Sequence, residues 1–155
     1  MFEKIRKMKN KKGFTLVELI VVLVILAILA ALLVPALTGY IDKANQEKVI
    51  AECRSVVVAA QTTASEYYGL NKDFTNSDVQ KSALAQIKTL AEDPGTWEYQ
   101  ITIGDVNGEH NVIKQVVFND GKAKVTYTKD ETTGAADFST VTTVTSADPT
   151  KSSIS

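Results

Sequence analysis

The sequence predicts an α+β chain. One long N-terminal α-helix, membrane-spanning in its first half and amphipathic in its second, is expected to pack on a small antiparallel β-meander. Three observations carry this. An apolar run from Phe14 to Leu37 holds one ionisable side chain, Glu18, and only Thr15 besides it is polar. Beyond Tyr40, apolar residues recur every three or four positions as far as Tyr67, the spacing of one helical face. After Pro94-Gly95, three segments alternate apolar with polar residues, the period of strands half-buried on one side.

The run from Phe14 to Leu37 is long enough to cross a bilayer, since about 20 apolar residues at about 1.5 Å each span the hydrocarbon core. Six basic residues (Lys4, Arg6, Lys7, Lys9, Lys11, Lys12) and one acid (Glu3) precede it. Such a flank keeps the N-terminal end in the cytoplasm and places the residues after Leu37 outside. A basic start followed by an apolar core also describes a secretory signal. This run is longer than such a core, and no Ala-x-Ala-like site closes it before Pro35. Glu18 admits two readings. An acid inside a membrane segment costs about 2.5–3.5 kcal/mol at the bilayer centre and marks a functional site. Alternatively, Thr15 and Glu18 form a capping box, where a carboxylate is favoured at a helix N-terminus.

The helix is expected to continue to Gly69, with Gly69 as its C-cap, giving roughly 80 Å at 1.5 Å per residue. Pro35 removes a backbone donor and predicts a kink or local opening, and Gly39 weakens the same region. In the outer half, Ile50, Cys53, Val57, Ala60, Ala64 and Tyr67 form the apolar stripe, with Asp42, Lys43, Glu47, Lys48 and Arg54 among the residues of the wet side. A short helix follows, started by Asn76-Ser77-Asp78 with Ser77 and Gln80 as a capping box, and ended by Pro94-Gly95. The strands are expected at Trp97–Ile103, Val112–Phe118 and Ala123–Tyr127. Asn119-Asp120-Gly121 signals a hairpin between the last two. Gly104 to Asn111 is predicted as a polar loop, and Val141 and Val144 allow a short edge strand around Thr140–Thr145. The end after Asp148-Pro149 is too polar to offset the cost of ordering and is expected to be mobile.

At 155 residues the chain has room for one domain besides the span. The net charge of −1 conceals an asymmetry: residues 1–13 carry +5, so the remainder carries −6. An acidic remainder excludes the basic patch of a general nucleic-acid binder. Cys53 is the only cysteine, so no intrachain disulfide is possible, and its place on the stripe makes it a core thiol. With one histidine, His110, and one cysteine there is no Cys/His cluster for zinc, and the sequence shows no motif of a Ser/His/Asp arrangement. Asp105-Val-Asn-Gly-Glu109 places acids at alternate positions but lacks the spacing of a calcium loop, and a plain turn is the better account. Tyr67, Tyr68, Phe74 and Trp97 read as core or surface anchors. No cofactor is implied.

Lys11-Lys12-Gly13-Phe14-Thr15-Leu16-Val17-Glu18-Leu19, with its basic leader and long apolar helix, resembles the N-terminal signature of type IV pilins and pseudopilins. The resemblance covers Lys11 to about Tyr40 and is architectural beyond about Tyr68. It implies a type IV pilin-like fold and a structural, non-enzymatic role as the subunit of a pilus filament. It implies that a prepilin peptidase cuts between Gly13 and Phe14 and that Phe14 is then N-methylated. It places Glu18 in filament assembly and matches Pro35 to a common proline of that helix. Residues 1–13 become the leader, 14–39 the transmembrane and filament-core helix, and 40–155 the exported domain, with a mobile tail from about 146. The implied partners are other copies of the chain in a helical filament, the peptidase, an assembly ATPase and an inner-membrane platform. The membrane holds the chain before assembly. Many pilins of Gram-negative bacteria close a C-terminal loop with a disulfide, and this chain departs from that pattern. The alternatives are a pseudopilin of a type II secretion or competence DNA-uptake system and, more remotely, a single-span membrane-anchored enzyme or sensor.

Overall fold

The computed structural model describes residues 13–106, 108–144 and 152–155, so the expectations for the leader 1–12 and for residues 145–151 of the tail lie outside the described residues. The chain divides into two units, residues 1–43 and 44–155. One α-helix, α1 (Leu16–Gly69), contributes to both, and Pro35 lies inside it. Its order of successors is α2 (Ser77–Leu90), β1 (Glu98–Val106), β2 (Glu109–Asn119), β3 (Ala123–Lys129), β4 (Ala136–Phe138), β5 (Thr142–Thr143) and β6 (Ser153–Ile154).

In the unit 44–155, the outer half of α1 packs on one face of the sheet. The buried stripe is Val49, Cys53, Val56, Ala60, Thr63 and Tyr67, with Ala59 and Ala64 beside it. Ile50 and Val57 border this core rather than centre it, so the stripe is rotated slightly from the one the spacing predicts. Against it lie Tyr99 and Ile101 of β1, Ile113, Val116 and Phe118 of β2, and Val125 of β3, all at most 1% exposed. Cys53 belongs to this core, and burial pushes its thiol pKa up to about 12. A thiol so placed is inert as a nucleophile.

The sheet runs β4-β3-β2-β1-β6, with β5 also paired to β3. The meander β1-β2-β3 is antiparallel as predicted. Its second hairpin turns at Asp120-Gly121-Lys122. The Asp120 carboxylate accepts the N–H groups of Lys122 (2.8 Å) and Ala123 (2.7 Å), and Gly121 sits at φ 91°, a left-handed conformation that glycine adopts without a Cβ clash. The first hairpin differs from expectation. Most of the predicted loop 104–111 is strand, since pairing continues from Gly104↔Val112 to Val106↔Glu109. The register slips by one at Lys114, which carries Ile113 onto the core face of Val116 and Phe118, while Val112 is buried outside that core cluster. Gln61 of α1 holds this place: its Oε1 accepts the Ile113 N–H (3.0 Å) and its amide donates to the Asn111 carbonyl (3.4 Å).

Both helix ends depart from the predicted caps in the same way. After α1, Lys72 N–H donates to the Tyr67 carbonyl and Asn71 N–H to that of Tyr68, with Asn71 at φ 51°. This is a Schellman ending, and asparagine rather than Gly69 takes the left-handed position. Asn76, not Ser77, caps α2, accepting the Asp78 N–H at 2.8 Å, while Gln80 reaches back to the Phe74 carbonyl at 2.7 Å. At its other end Glu92 (φ 56°) repeats the Schellman geometry before Pro94 is reached.

The C-terminus overturns an expectation. Ser153–Ile154 pair in parallel with β1, and Ile154, 7% exposed, enters the core. The polar composition that predicts a mobile end is outweighed by one isoleucine and by main-chain bonds to an open strand edge. The predicted edge strand near Thr140–Thr145 is β5, shortened to two residues.

Candidate processing and assembly segment

The segment of interest is the start of α1. Gly13 and Phe14 precede the helix without regular secondary structure, and Phe14 is 88% exposed. A Cβ added at Gly13 would meet nothing within 4 Å, and its φ is not left-handed. Nothing in the fold of this chain therefore demands glycine there.

Thr15 and Glu18 close a full capping box. The Thr15 N–H donates to Glu18 Oε2 at 2.8 Å, and the Glu18 N–H donates to Thr15 Oγ1 at 3.2 Å. The Thr15 hydroxyl also donates to Glu18 Oε2, at 2.8 Å. The capping reading of Glu18 is thus realised within one chain. It does not exhaust the residue's capacity, because Glu18 is exposed and its second carboxylate oxygen makes no bond among those described. An oxygen of an exposed carboxylate can accept a bond from a donor elsewhere.

From Leu16 to Ile41 the apolar side chains project in every direction and none is buried. Leu19, Ile20, Val24, Ile28 and Leu32 are all about half exposed or more. The helix is long and apolar enough to cross a membrane. A soluble amphipathic helix would show one wet face; this one has none, so lipid or other apolar helices must cover it all round. Each Leu, Ile, Val or Phe favours insertion by about 0.3–0.6 kcal/mol near mid-span, so the run together outweighs the one charge near its end. Thr38 donates its hydroxyl to the Pro35 carbonyl at 2.9 Å.

The other residues singled out from sequence have structural places. Tyr67 stacks on Phe74 (ring centroids 5.7 Å apart), and Trp97 meets Phe118 edge-on at 5.4 Å. His110 Nδ1 lies 3.0 Å from Asp105 Oδ2 and its ring faces Tyr68, so Asp105 and Glu109 are occupied in side-chain pairs, the latter with Lys129 at 3.7 Å. Among the described residues no group of three or more His, Cys, Asp and Glu side chains is placed to hold a metal ion. Lys48 joins α1 to the second hairpin, 3.0 Å from Glu52 and 3.7 Å from Asp120; its pKa is raised, first by the bond to Glu52. Sequence reasoning missed Gln61, the polar residue that fixes the bulge; its only signal was a lone amide amid an apolar stretch of helix.

Residues 8–34 match the family described as a prokaryotic N-terminal methylation motif. The chain is 31% identical over 139 residues to the type II secretion system core protein G of Klebsiella michiganensis, covering 79% of this chain and 92% of that protein. It is 34% identical over 120 residues to a fimbrial protein of Dichelobacter nodosus, covering 68% of this chain and 75% of that one. A fimbrial protein of Pseudomonas aeruginosa is 27% identical over 142 residues, with 81% and 91% covered. No solved structure matches the chain significantly.

Proposed function

The chain belongs to the type IV pilin-like family and is a pilin-type subunit, and on that premise we propose a route from membrane to filament. A prepilin peptidase removes residues 1–13 by cutting between Gly13 and Phe14, and Phe14 is N-methylated. The span 14–39 first holds the subunit in the membrane, leader inward and residues 40–155 outward. An assembly ATPase and an inner-membrane platform then polymerise it into an extracellular type IV pilus. The observation that carries this is the apolar helix exposed on every side, which suits lipid before assembly and neighbouring helices afterwards.

Glu18 acts at the transfer between those two surroundings. Cleavage creates an amine on Phe14, one helical turn away. In an apolar filament interior an unpaired charge costs several kcal/mol, and a carboxylate relieves it. The capping oxygen can stay with Thr15 while the other meets an amine, of the same chain or of a neighbour. Pro35 supplies the place where the span bends. The family is structural, and we assign this chain no catalysis. The Klebsiella relative supports a second reading, a pseudopilin of a secretion machine, since its match extends over nearly the whole of that protein.

The test is the mass of the mature N-terminus. A chain beginning at methylated Phe14 is expected, and a chain keeping residues 1–13 would point instead to a single-span membrane-anchored protein. Gly13→Phe should leave the leader attached. Because a side chain at Gly13 meets nothing in this fold, the effect would belong to the peptidase and not to misfolding.

A further inference from the structure

Three buried polar atoms from separate segments lie near one another beside β1. The parallel pairs Gln100↔Ser153 and Ile101↔Ile154 set Tyr99 next to Ser152, two residues before the buried isoleucines and so on the same core face. Asp93 follows the end of α2. Its Oδ1 accepts the Gly95 N–H at 2.7 Å and the Trp97 N–H at 3.4 Å. Its Oδ2 is buried and accepts no hydrogen bond among the described residues. Tyr99 is fully buried, and its hydroxyl also lacks a partner. The Ser152 hydroxyl is the third such atom. Burial pushes the Tyr99 pKa up and the Asp93 charge pushes it further, while the Ser152 hydroxyl opposes the rise. The three groups therefore sense one another, yet none is placed to bond another directly.

A buried polar group without a partner has given up its bonds to solvent and gained none in return, so such groups are few in folded proteins. These three have complementary needs. An ionised Asp93 Oδ2 can only accept, the Tyr99 hydroxyl keeps its proton and can donate, and the Ser152 hydroxyl can do either. One small neutral molecule that accepts once and donates twice satisfies all of them. We propose that a buried water molecule is bound here, accepting from the Tyr99 hydroxyl and donating to Asp93 Oδ2 and Ser152 Oγ. Three bonds are the usual number for a buried water. A divalent cation suits the group less well, because one carboxylate and two neutral hydroxyls fall short of the six to eight oxygens that calcium takes. The water ties the residues after α2 to β1 and to the residue that leads into β6, which forms the end of the sheet beside β1. The site is internal to one chain and does not rest on the pilin reading.

Two measurements on the full-length chain in detergent test this. A crystal structure fine enough to show ordered waters should place one at about 2.7–3.2 Å from both Tyr99 Oη and Asp93 Oδ2. A direct bond between Tyr99 and Asp93, or no water at Tyr99 Oη, would overturn the proposal. Tyr99→Phe supplies the second reading, because it keeps the ring in the core and removes only the group that donates to the water. Urea titration should show its folding equilibrium constant lowered about ten-fold. A hydroxyl with no partner predicts the opposite sign, since deleting it removes a buried polar group and breaks no bond. A urea midpoint that rises or stays unchanged in Tyr99→Phe would therefore also overturn the proposal.

Discussion

The two halves of α1 share one backbone and differ in everything that surrounds it. In the first half, branched and long aliphatic residues ring the helix and all are exposed. In the second, a stripe of small and medium residues is buried while charges such as Glu47, Lys48 and Arg54 occupy the remaining surface. The first half has no inside or outside of its own, and its partner must be a continuous apolar medium. The second half has found its partner in the same chain. The pattern of side chains around the helix, more than its length, therefore tells what each part is built to touch.

That contrast can be broken most forcefully by placing a charge in each half. Val56→Lys buries an ammonium with no counter-charge in the sheet core and should cost about 3–5 kcal/mol, read as a large fall in the urea midpoint of the domain. A fragment beginning at Tyr40 should be soluble and folded by circular dichroism, and Val56→Lys should unfold it. Leu26→Lys should leave the fold of that domain unchanged and act on the membrane instead, at about 2.5–3.5 kcal/mol near mid-span, read as lost membrane fractionation. Similar effects of both substitutions on domain stability would erase the distinction between the halves.

A smaller effect sharpens the contact between the second half and the sheet. Gln61→Ala leaves the half-buried Ile113 N–H and Asn111 carbonyl without their partner and should cost about 1–3 kcal/mol. Gln61→Glu should recover little, since it keeps an acceptor for Ile113 but loses the donor to Asn111. Denaturant midpoints of the two variants check this, and an unchanged midpoint for Gln61→Ala would mean that the bulge holds without the helix.

The smallest expected effect lies in the turn between β3 and β4. The Asp130 carboxylate accepts the Thr133 N–H at 2.7 Å, and bonds from Thr132 and Thr133 together hold its pKa down at about 2 from 3.8. A carboxylate with a depressed folded pKa stabilises above its unfolded value and loses that contribution as pH falls through the folded one. Asp130→Ala should therefore be slightly less stable than the parent above about pH 4, with the difference vanishing towards about pH 2. A difference constant across this window would mean that the turn does not depend on the ionised form.

Legibility in the sequence followed the range of the interactions. The long helix, α2 and the three-stranded meander were plain because each has its own periodicity. Asp120-Gly121 announced its turn because the required φ is local. The bulge at Lys114 was hidden: Gln61, more than fifty residues away, bonds beside it, and strict alternation gave no hint that Ile113 shares a face with Val116. Asn71 and Glu92 take left-handed positions that Gly69 and Pro94-Gly95 suggested lay elsewhere, because tertiary packing decides where a helix stops. β6 was invisible because Ser-Ser-Ile-Ser has no pattern, and only the open edge of β1 makes it a strand. At the N-terminus, the Thr15–Glu18 box was legible as a motif, while the free oxygen that leaves room for a second role needed geometry.

On the proposed reading, other copies complete the first half of α1 and Glu18 neutralises the charge that this brings inside. The measurement is the yield of sheared filaments from cells whose only copy of the protein carries Glu18→Ala or Glu18→Gln, at equal membrane levels. Both variants should insert, since removing a charge from an apolar span eases partitioning. Glu18→Ala should abolish or nearly abolish filaments, and Glu18→Gln, which can still cap the helix but cannot neutralise an amine, should do nearly as badly. Filaments at the parental level from Glu18→Ala would contradict the account, and parental levels from Glu18→Gln alone would reduce Glu18 to the capping residue seen in the single chain.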